Sequence, residues 1–453
     1  MNEEKLPELP KGWIQVKLEE FSDITQGQSP PSITYNKNKD GLPFYQGKTE
    51  FSAMYPIAVT WCSIPKKIAE KGDVLISVRA PVGPTNICPE KSCIGRGLAA
   101  IRPLGGISSR FLLYLLRSSE NDIARLGTGT TFEAINGKQL RSVEFLLPPL
   151  PEQQRIINKI EELFSDIDNG VESLENAKTE LKRYRQAVLK AAFEGKLTEK
   201  WRKNHKDELE DASKLLERIK EERKQKLGKK YKELPVSETS NLLNLPGGWV
   251  RIRLGDLISL EYGKALQEEK RDTQGNIPVY GSSGIVGSHT ESLLTNSCLV
   301  VGRKGAVGTV YLSSGPCWPI DTTYYISDYP EMDIKFLFYL LKSLNLGRLD
   351  KSTAIPGLRR EDVYYIQIGL PSITEQRNVI KEIELRLSVA DETEKIIDQS
   401  LKQAERMRQT ILRKAFEGRL ASQDPSDEPA NKLLERIKAE KAKNEIERKG
   451  RKR

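Results

Sequence analysis

Residues 185–197 read RQAVLKAAFEGKL, and residues 408–420 read RQTILRKAFEGRL. Eight of the thirteen positions are identical, and most of the others are mild exchanges such as Val188 for Ile411 and Lys196 for Arg419. Outward from this pair the matches continue in one order. LPKGWIQVKLEEFSDITQG from Leu9 resembles LPGGWVRIRLGDLISLEYG from Leu245. LPFY at Leu42 returns as IPVY at Ile277, and DVLISVRAPVG at Asp73 returns loosely as CLVVGRKGAVG at Cys298. FLLYLLRSS at Phe111 matches FLFYLLKSL at Phe336, LPPLPEQQRII at Leu147 matches LPSITEQRNVI at Leu370, and KLLERIK occurs verbatim at Lys214 and Lys432. The offset drifts from 236 to 218 through gaps, as an old duplication would. A period above 200 residues is no solenoid. It is two copies of a module, each a mixed segment followed by a charged helical one.

In the helical segments apolar residues recur at the heptad period: Ile156, Ile160, Leu163, Ile167, Val171, Leu174, Ala177, Leu181, Tyr184, Val188 and Ala191 in the first. Val379, Ile383, Leu387, Ala390, Ile397, Leu401, Ala404, Met407 and Ile411 form a similar stripe in the second. Pro151 stands where a first helical turn tolerates proline, and Gly195 and Gly418 where a helix should stop. Each predicted helix has about 40 residues, roughly 60 Å at 1.5 Å per residue. Two seams this narrow need partners. Pairing with each other predicts an intramolecular antiparallel coiled coil with a pseudo-twofold axis and a globular part at each end; a homodimeric coil is the alternative.

The globular segments predict an α+β fold. DVLISV, SCLVVG, TVYLSS, TYYISD and VYYIQIGL read as strands, and SSRFLLYLLRSS and DIKFLFYLLKSL as short amphipathic helices. Between them run polar loops rich in hydroxyls, amides, glycines and isolated bases, groups that reach phosphates and base edges.

The chain has 453 residues, of which 38% are hydrophobic and 30% charged. That composition describes a folded protein with much exposed helix. No apolar run of 18 residues occurs, so no membrane span is expected, and the start MNEEKLPELPKGW has no apolar core to serve as a leader. Five cysteines without a CxxC pair suggest reduced thiols in a cytoplasm. The net charge of +9 is concentrated: residues 432–453 hold ten Lys/Arg against four Glu, whereas residues 245–370 hold 13 of each sign. Global charge alone therefore says little about DNA binding.

Catalytic signatures are missing. There is no GxxxxGK followed by Ser or Thr, no GxGxxG, no GxSxG, no HExxH, and no Asn/Asp-Pro-Pro-Tyr/Phe tetrapeptide. Asp333 and Lys335, with Asp321 upstream, could imitate a nuclease Asp-x-Lys, but the first copy has Ile-Ser-Ser at that place.

The doubled LPKGW/LPGGW starts, the doubled LPPLPEQQRII/LPSITEQRNVI helix beginnings and the paired AFEG helix ends resemble the specificity subunits of type I DNA restriction-modification enzymes, over about residues 9–438. The resemblance implies target recognition domains at 1–150 and 245–370, a central helical spacer and docking helix at 151–233, a linker at 234–244, and a second helical spacer with a basic tail at 371–453. Each recognition domain would read one half of a bipartite site in double-stranded DNA, and the helices would set the gap. The family implies two modification subunits carrying S-adenosylmethionine and methylating adenine N6, and restriction subunits using ATP and magnesium. No catalytic residue, metal or cofactor is expected in this chain. The competing readings are a coiled-coil protein scaffold and a self-contained nuclease.

For DNA contact, the loop groups favour Gln28, Lys37, Lys48, Arg79, Arg96 and Thr130 in the first copy, and Lys264, Tyr280, Ser282, Ser283, Arg303, Lys304 and Thr353 in the second. Solvated surface groups are the plain alternative. For partner docking, the helix beginnings and ends favour Glu152, Gln153, Arg155, Phe193, Glu194, Glu375, Gln376, Arg377, Phe416 and Glu417, although the two phenylalanines could instead cap the coil internally. The KLLERIK helices and the tail are expected as further docking arms.

Overall fold

The computed structural model describes residues 9–127, 134–206, 209–228, 231, 245–272, 274–349 and 357–443, with the backbone of the last helix continuing to Gly450. Thr130, Thr353 and the expected 234–244 linker lie outside the described residues. The chain divides into two compact units, Met1–Leu174 with Gln399–Arg453, and Glu175–Asp398.

The first unit holds a four-stranded antiparallel sheet in the order Ser22–Gln26, Leu98–Pro103, Val74–Ser77, Thr85–Ile87. Val74–Ser77 is buried along its whole length, which explains its unbroken apolar run. Ile14–Lys17 pairs separately with Glu144–Leu147. The second unit repeats this plan strand for strand: Glu261–Tyr262, Thr323–Ile326, Cys298–Gly302, Val310–Ser313, with Val250–Arg253 paired to Gln367–Leu370. The units differ beyond this frame. The first carries a further five-stranded sheet and the second a three-stranded one.

Each unit seats one amphipathic helix on its sheet. Ser109–Ser118 buries Phe111, Leu112, Leu115 and Leu116, and the Ser108 hydroxyl accepts from the Arg110 N–H at 3.2 Å. Its counterpart Ile334–Ser343 is capped by Asp333, whose Oδ1 accepts from the Lys335 N–H at 2.9 Å. One strand expectation fails in part. Residues 363–364 of VYYIQIGL end a short helix, Arg360–Tyr364, and only Gln367–Leu370 is strand. Val363 reaches the core from that helix, so its burial needs no strand.

The two 44-residue helices, Leu150–Phe193 and Ile373–Phe416, pair antiparallel within the chain, and each unit contains one half of each. In the second unit Lys178 Nζ meets Asp398 Oδ1 at 2.7 Å, and Arg185 holds Glu394 at 2.7 Å and Asp391 at 2.6 Å. In the first unit Arg408 pairs with Asp168. Both helices end alike. Gly195 (φ +69°) donates to Ala192 O and Lys196 to Ala191 O; Gly418 (φ +71°) donates to Ala415 O and Arg419 to Lys414 O. This is the Schellman closure, which places its C′ residue in the left-handed region that glycine occupies at no steric cost. Tyr184 and Met407, on the predicted seams, are instead 43% and 47% exposed. They are matching positions of the repeat.

The KLLERIK helices are not free arms. In Ala212–Leu227, Leu215 and Ile219 are buried in the core of the second unit, and Arg223 donates to Leu257 O and Ile258 O. In Ala430–Gly450, Leu433 and Ile437 are buried in the core of the first unit, and Lys441 Nζ donates to Glu19 O and to Ser22 O. The apolar i, i+4 pair of KLLERIK needs a core, and each copy finds one. All five cysteines are buried and free. Among the described residues, no helix is long and apolar enough to cross a membrane.

Candidate nucleic-acid interface

The repeated motifs meet at one junction in each unit. In the first, Trp13 of LPKGW donates its indole N–H to Glu152 Oε2 at 3.0 Å, and a Cβ on Gly418 would lie 2.5 Å from Pro10 Cγ. In the second, a Cβ on Gly195 would lie 2.3 Å from Pro246 Cγ. The start of each mixed segment therefore packs on the end of the long helix from the other copy.

This junction corrects most of the docking assignments. Glu152, Gln153, Glu375 and Gln376 are all buried. Gln153 Nε2 donates to Pro148 O and Gln376 Nε2 to Pro371 O, while Glu375 Oε1 accepts from Thr198 Oγ1 at 2.7 Å and Arg202 Nε at 2.9 Å. Burial pushes the Glu152 carboxyl above its usual range, opposed by the Trp13 hydrogen bond. Arg155 is spent on Asp427 at 2.6 Å and Ser422 O at 3.0 Å. Phe416 lies edge-on to Phe111 at 5.5 Å and Phe193 edge-on to Phe336 at 5.3 Å, so each packs internally, against the short helix of the globular segment rather than as a cap on the paired helices. Helix beginnings and ends bury these groups because two segments converge there. Arg377 is exposed; Glu194 and Glu417 are half-buried and paired with Lys196 and with Arg413.

In the first unit, Lys48, Arg79 and Arg96 converge on one cleft of about 520 Å³, shared with Ser29, Gln46 and Thr49. All three cations are exposed. Gly97 forms part of the wall: a Cβ there would lie 2.2 Å from Gln46 O, so the close backbone approach needs glycine. Gln28 and Lys37 are exposed but lie outside this cleft.

In the second unit, the Arg303 guanidinium lies 5.3 Å from the Tyr262 ring centre, and its Nε and Nη2 donate to Asp321 O at 3.1 and 2.6 Å. Arg360 lies 4.8 Å from the same ring. Tyr262 is 50% exposed, and Tyr324 packs beneath it with ring centres 5.1 Å apart. Burial pushes the Tyr324 phenol up to about 12, with the Tyr262 hydroxyl adding to the shift. Lys264 Nζ stands 5.6 Å from the Trp318 ring. Lys304 and Ser283 are exposed.

Tyr280 is corrected as a base-reading residue. Only 8% of it is exposed, because its ring packs with Cys298, Val300 and Cys317 in a small core. Ser282 is half-buried, and its carbonyl accepts from Thr309 Oγ1 at 2.6 Å. Arg79 and Lys304 hold matching places, as the repeat aligns them: Arg79 bridges Ala134 as Lys304 bridges Gly357. Tyr262 and Arg360 were missed by the sequence reading, and only that structural alignment picks them out.

The nuclease-like pair has other duties. Asp333 caps its own helix, and Lys335 Nζ pairs with Glu384 Oε1 at 2.7 Å. Among the described residues, no cluster of three or more His, Cys, Asp or Glu could hold a metal ion.

The chain matches the type I restriction modification DNA specificity domain twice, at residues 10–183 and 246–406. It is 39% identical over 196 residues to the putative type I restriction enzyme MjaX specificity subunit of Methanocaldococcus jannaschii, a match covering 43% of this chain and 45% of that protein. It is 25% identical to the EcoKI specificity subunit of Escherichia coli K12, over 96% of each chain. Among solved structures, the HsdS subunit of Thermoanaerobacter tengcongensis superposes with a TM-score of 0.52 at 18% identity, covering 93% of this chain and all of that one. A chain from a structure describing complex assembly and conformational transition of the type I R-M system gives 0.66 at 19%, covering 91% and 100%. With both copies of the module matched across most of its length, the chain belongs to the type I restriction-modification specificity subunits.

Proposed function

We propose that this chain is the sequence-reading, non-catalytic subunit of a type I restriction-modification complex, each recognition domain taking one half of a bipartite site in duplex DNA. The observation that carries the reading is a repeated strand frame bearing different cations: the exposed Lys48, Arg79 and Arg96 around a cleft in the first unit, and the half-buried Arg303 and Arg360 around the exposed ring of Tyr262 in the second. Duplication supplies two readers, and the divergence supplies two readings. Loop guanidinium and amide groups suit base edges, each good bidentate pair contributing about 1–3 kcal/mol. Two readers on one chain also raise each other's effective concentration.

The chemistry would lie with partners: two modification subunits holding S-adenosylmethionine and methylating adenine N6, and restriction subunits using ATP and magnesium. The surfaces left for docking include Arg377. Buried free thiols suit a cytoplasmic setting. The test is reconstitution of the modification subunits with and without this chain, followed by methyl transfer to duplexes. Transfer to one split sequence only when the chain is present supports the reading. Equal transfer without it would leave a protein scaffold.

A further inference from the structure

The two sheets can be superposed residue by residue from their pairing. Tyr262 pairs with Tyr324 as Gln26 pairs with Ala99. Tyr324 pairs in turn with Val301 as Ala99 pairs with Ile76, so Arg303 occupies the place of Val78. The bridges Lys304–Gly357 and Arg79–Ala134 set Arg360 at the place of Gly137. One structural position therefore holds Gln26, Ala99, Val78 and Gly137 in the first unit, and Tyr262, Tyr324, Arg303 and Arg360 in the second. The contact survives the exchange: a Cβ on Gly137 would lie 3.2 Å from Gln26 Nε2, as Arg360 lies on Tyr262.

In the second unit the result is an exposed aromatic ring with two guanidinium groups against it. Arg303 is anchored by the Asp321 carbonyl. Arg360 is half-buried, and none of its donors is spent on a carboxylate or a carbonyl among the described residues. Glu261 adjoins Tyr262, Asp321 meets Arg303 through its carbonyl, and Glu361 and Asp362 follow Arg360; none of these four carboxylates forms an ion pair with Arg303 or Arg360. A planar fork held in place on a ring is prepared for two parallel hydrogen bonds, which a mobile lysine is not.

We propose that Arg360 reads a guanine in the half-site taken by the second recognition domain, donating to its O6 and N7, with Tyr262 and Arg303 as the platform that positions it. This rests on the DNA-reading function proposed above. Base readout is favoured over phosphate contact by the divergence itself. The phosphate backbone is the same under both domains, so duplicated domains gain nothing by replacing a phosphate contact with glycine and valine. A base-reading site has to differ if the two half-sites differ.

The test compares genome-wide methylation by the complete complex carrying the wild-type chain, Arg360→Ala, Arg360→Lys or Tyr262→Ala. The proposal expects preference at a single G·C position in one half of the split motif to fall about 10- to 100-fold in both Arg360 variants. Tyr262→Ala relaxes the same position, and the other half-site is read as before, which shows that the chain is folded. An unchanged motif in Arg360→Ala means no base contact, and a uniform weakening across sequences with a salt slope reduced by about one means a phosphate contact; either overturns the proposal. An unchanged motif in Arg360→Lys alone overturns its two-bond geometry, since lysine can also donate to guanine. Loss of both halves in every variant makes Arg360 a folding residue and overturns it equally. Absence of chain-dependent methylation with the wild type is a different failure, that of the specificity function itself.

Discussion

At the scale of single residues, Glu152 shows how burial and a repeated motif are linked. Its carboxyl is buried beneath the Trp13 indole, and burial raises its pKa above the ordinary 4.5. A carboxyl raised in the folded state binds its proton more tightly there than in the unfolded chain. Its contribution to stability therefore falls as pH rises from about 4.5 through the folded value. Glu152→Gln keeps an acceptor for the indole and removes that loss. Thermal unfolding from pH 4 to 8 should find the variant gaining on the wild type as pH rises; the opposite trend would mean that the carboxylate has a favourable charged partner. Asp333→Ala should cost about 0.5–2 kcal/mol in denaturant unfolding as a lost helix cap, and leave the methylation target unchanged. A nuclease role for Asp333 would instead show as lost magnesium-dependent cleavage. Lys48, Arg79 and Arg96 were legible in the sequence as isolated loop cations, but their convergence on one cleft was not. Tyr262 and Arg360 carried no signal, because a tyrosine in EYG and an arginine in LRR become neighbours only through strand pairing.

At the scale of elements, the heptad spacing and the terminal glycines were enough to read both long helices, and their antiparallel pairing within the chain is as expected. What the sequence could not show is the exchange at the junctions. AFEG of one copy packs on LPKGW or LPGGW of the other, because a helix that crosses from one unit ends in the next. The same exchange hides the role of KLLERIK, whose apolar pair reads equally well as an exposed docking face until its core is seen. Phe416, 8% exposed and edge-on to Phe111, should cost about 3–5 kcal/mol when replaced by alanine; Phe193, only half-buried, should cost less. Denaturant midpoints at constant m-value would measure both, and a near-neutral Phe416→Ala would return that residue to the docking surface. Removing residues 430–453 should uncover the Leu433 and Ile437 side of the first core, and hydrogen exchange should then rise in the first unit and not in the second.

At the scale of the whole molecule, the proposed function predicts a split target whose gap follows the length of the long helices. A seven-residue insertion matched in both long helices preserves the heptad seam and adds about 10 Å, close to three base pairs at 3.4 Å each. The methylated motif should keep both halves and widen by that amount; a target of unchanged spacing would argue against the helices as the ruler. The claim beneath all of these is that the chain chooses the DNA sequence. It is tested most directly by mapping N6-methyladenine in cells that hold the modification subunits with this chain and in cells lacking only this chain. The account predicts that methylation at one split motif, two short halves at a fixed gap, disappears with the chain. Methylation by an active partner that persists at the same sites without the chain would contradict it.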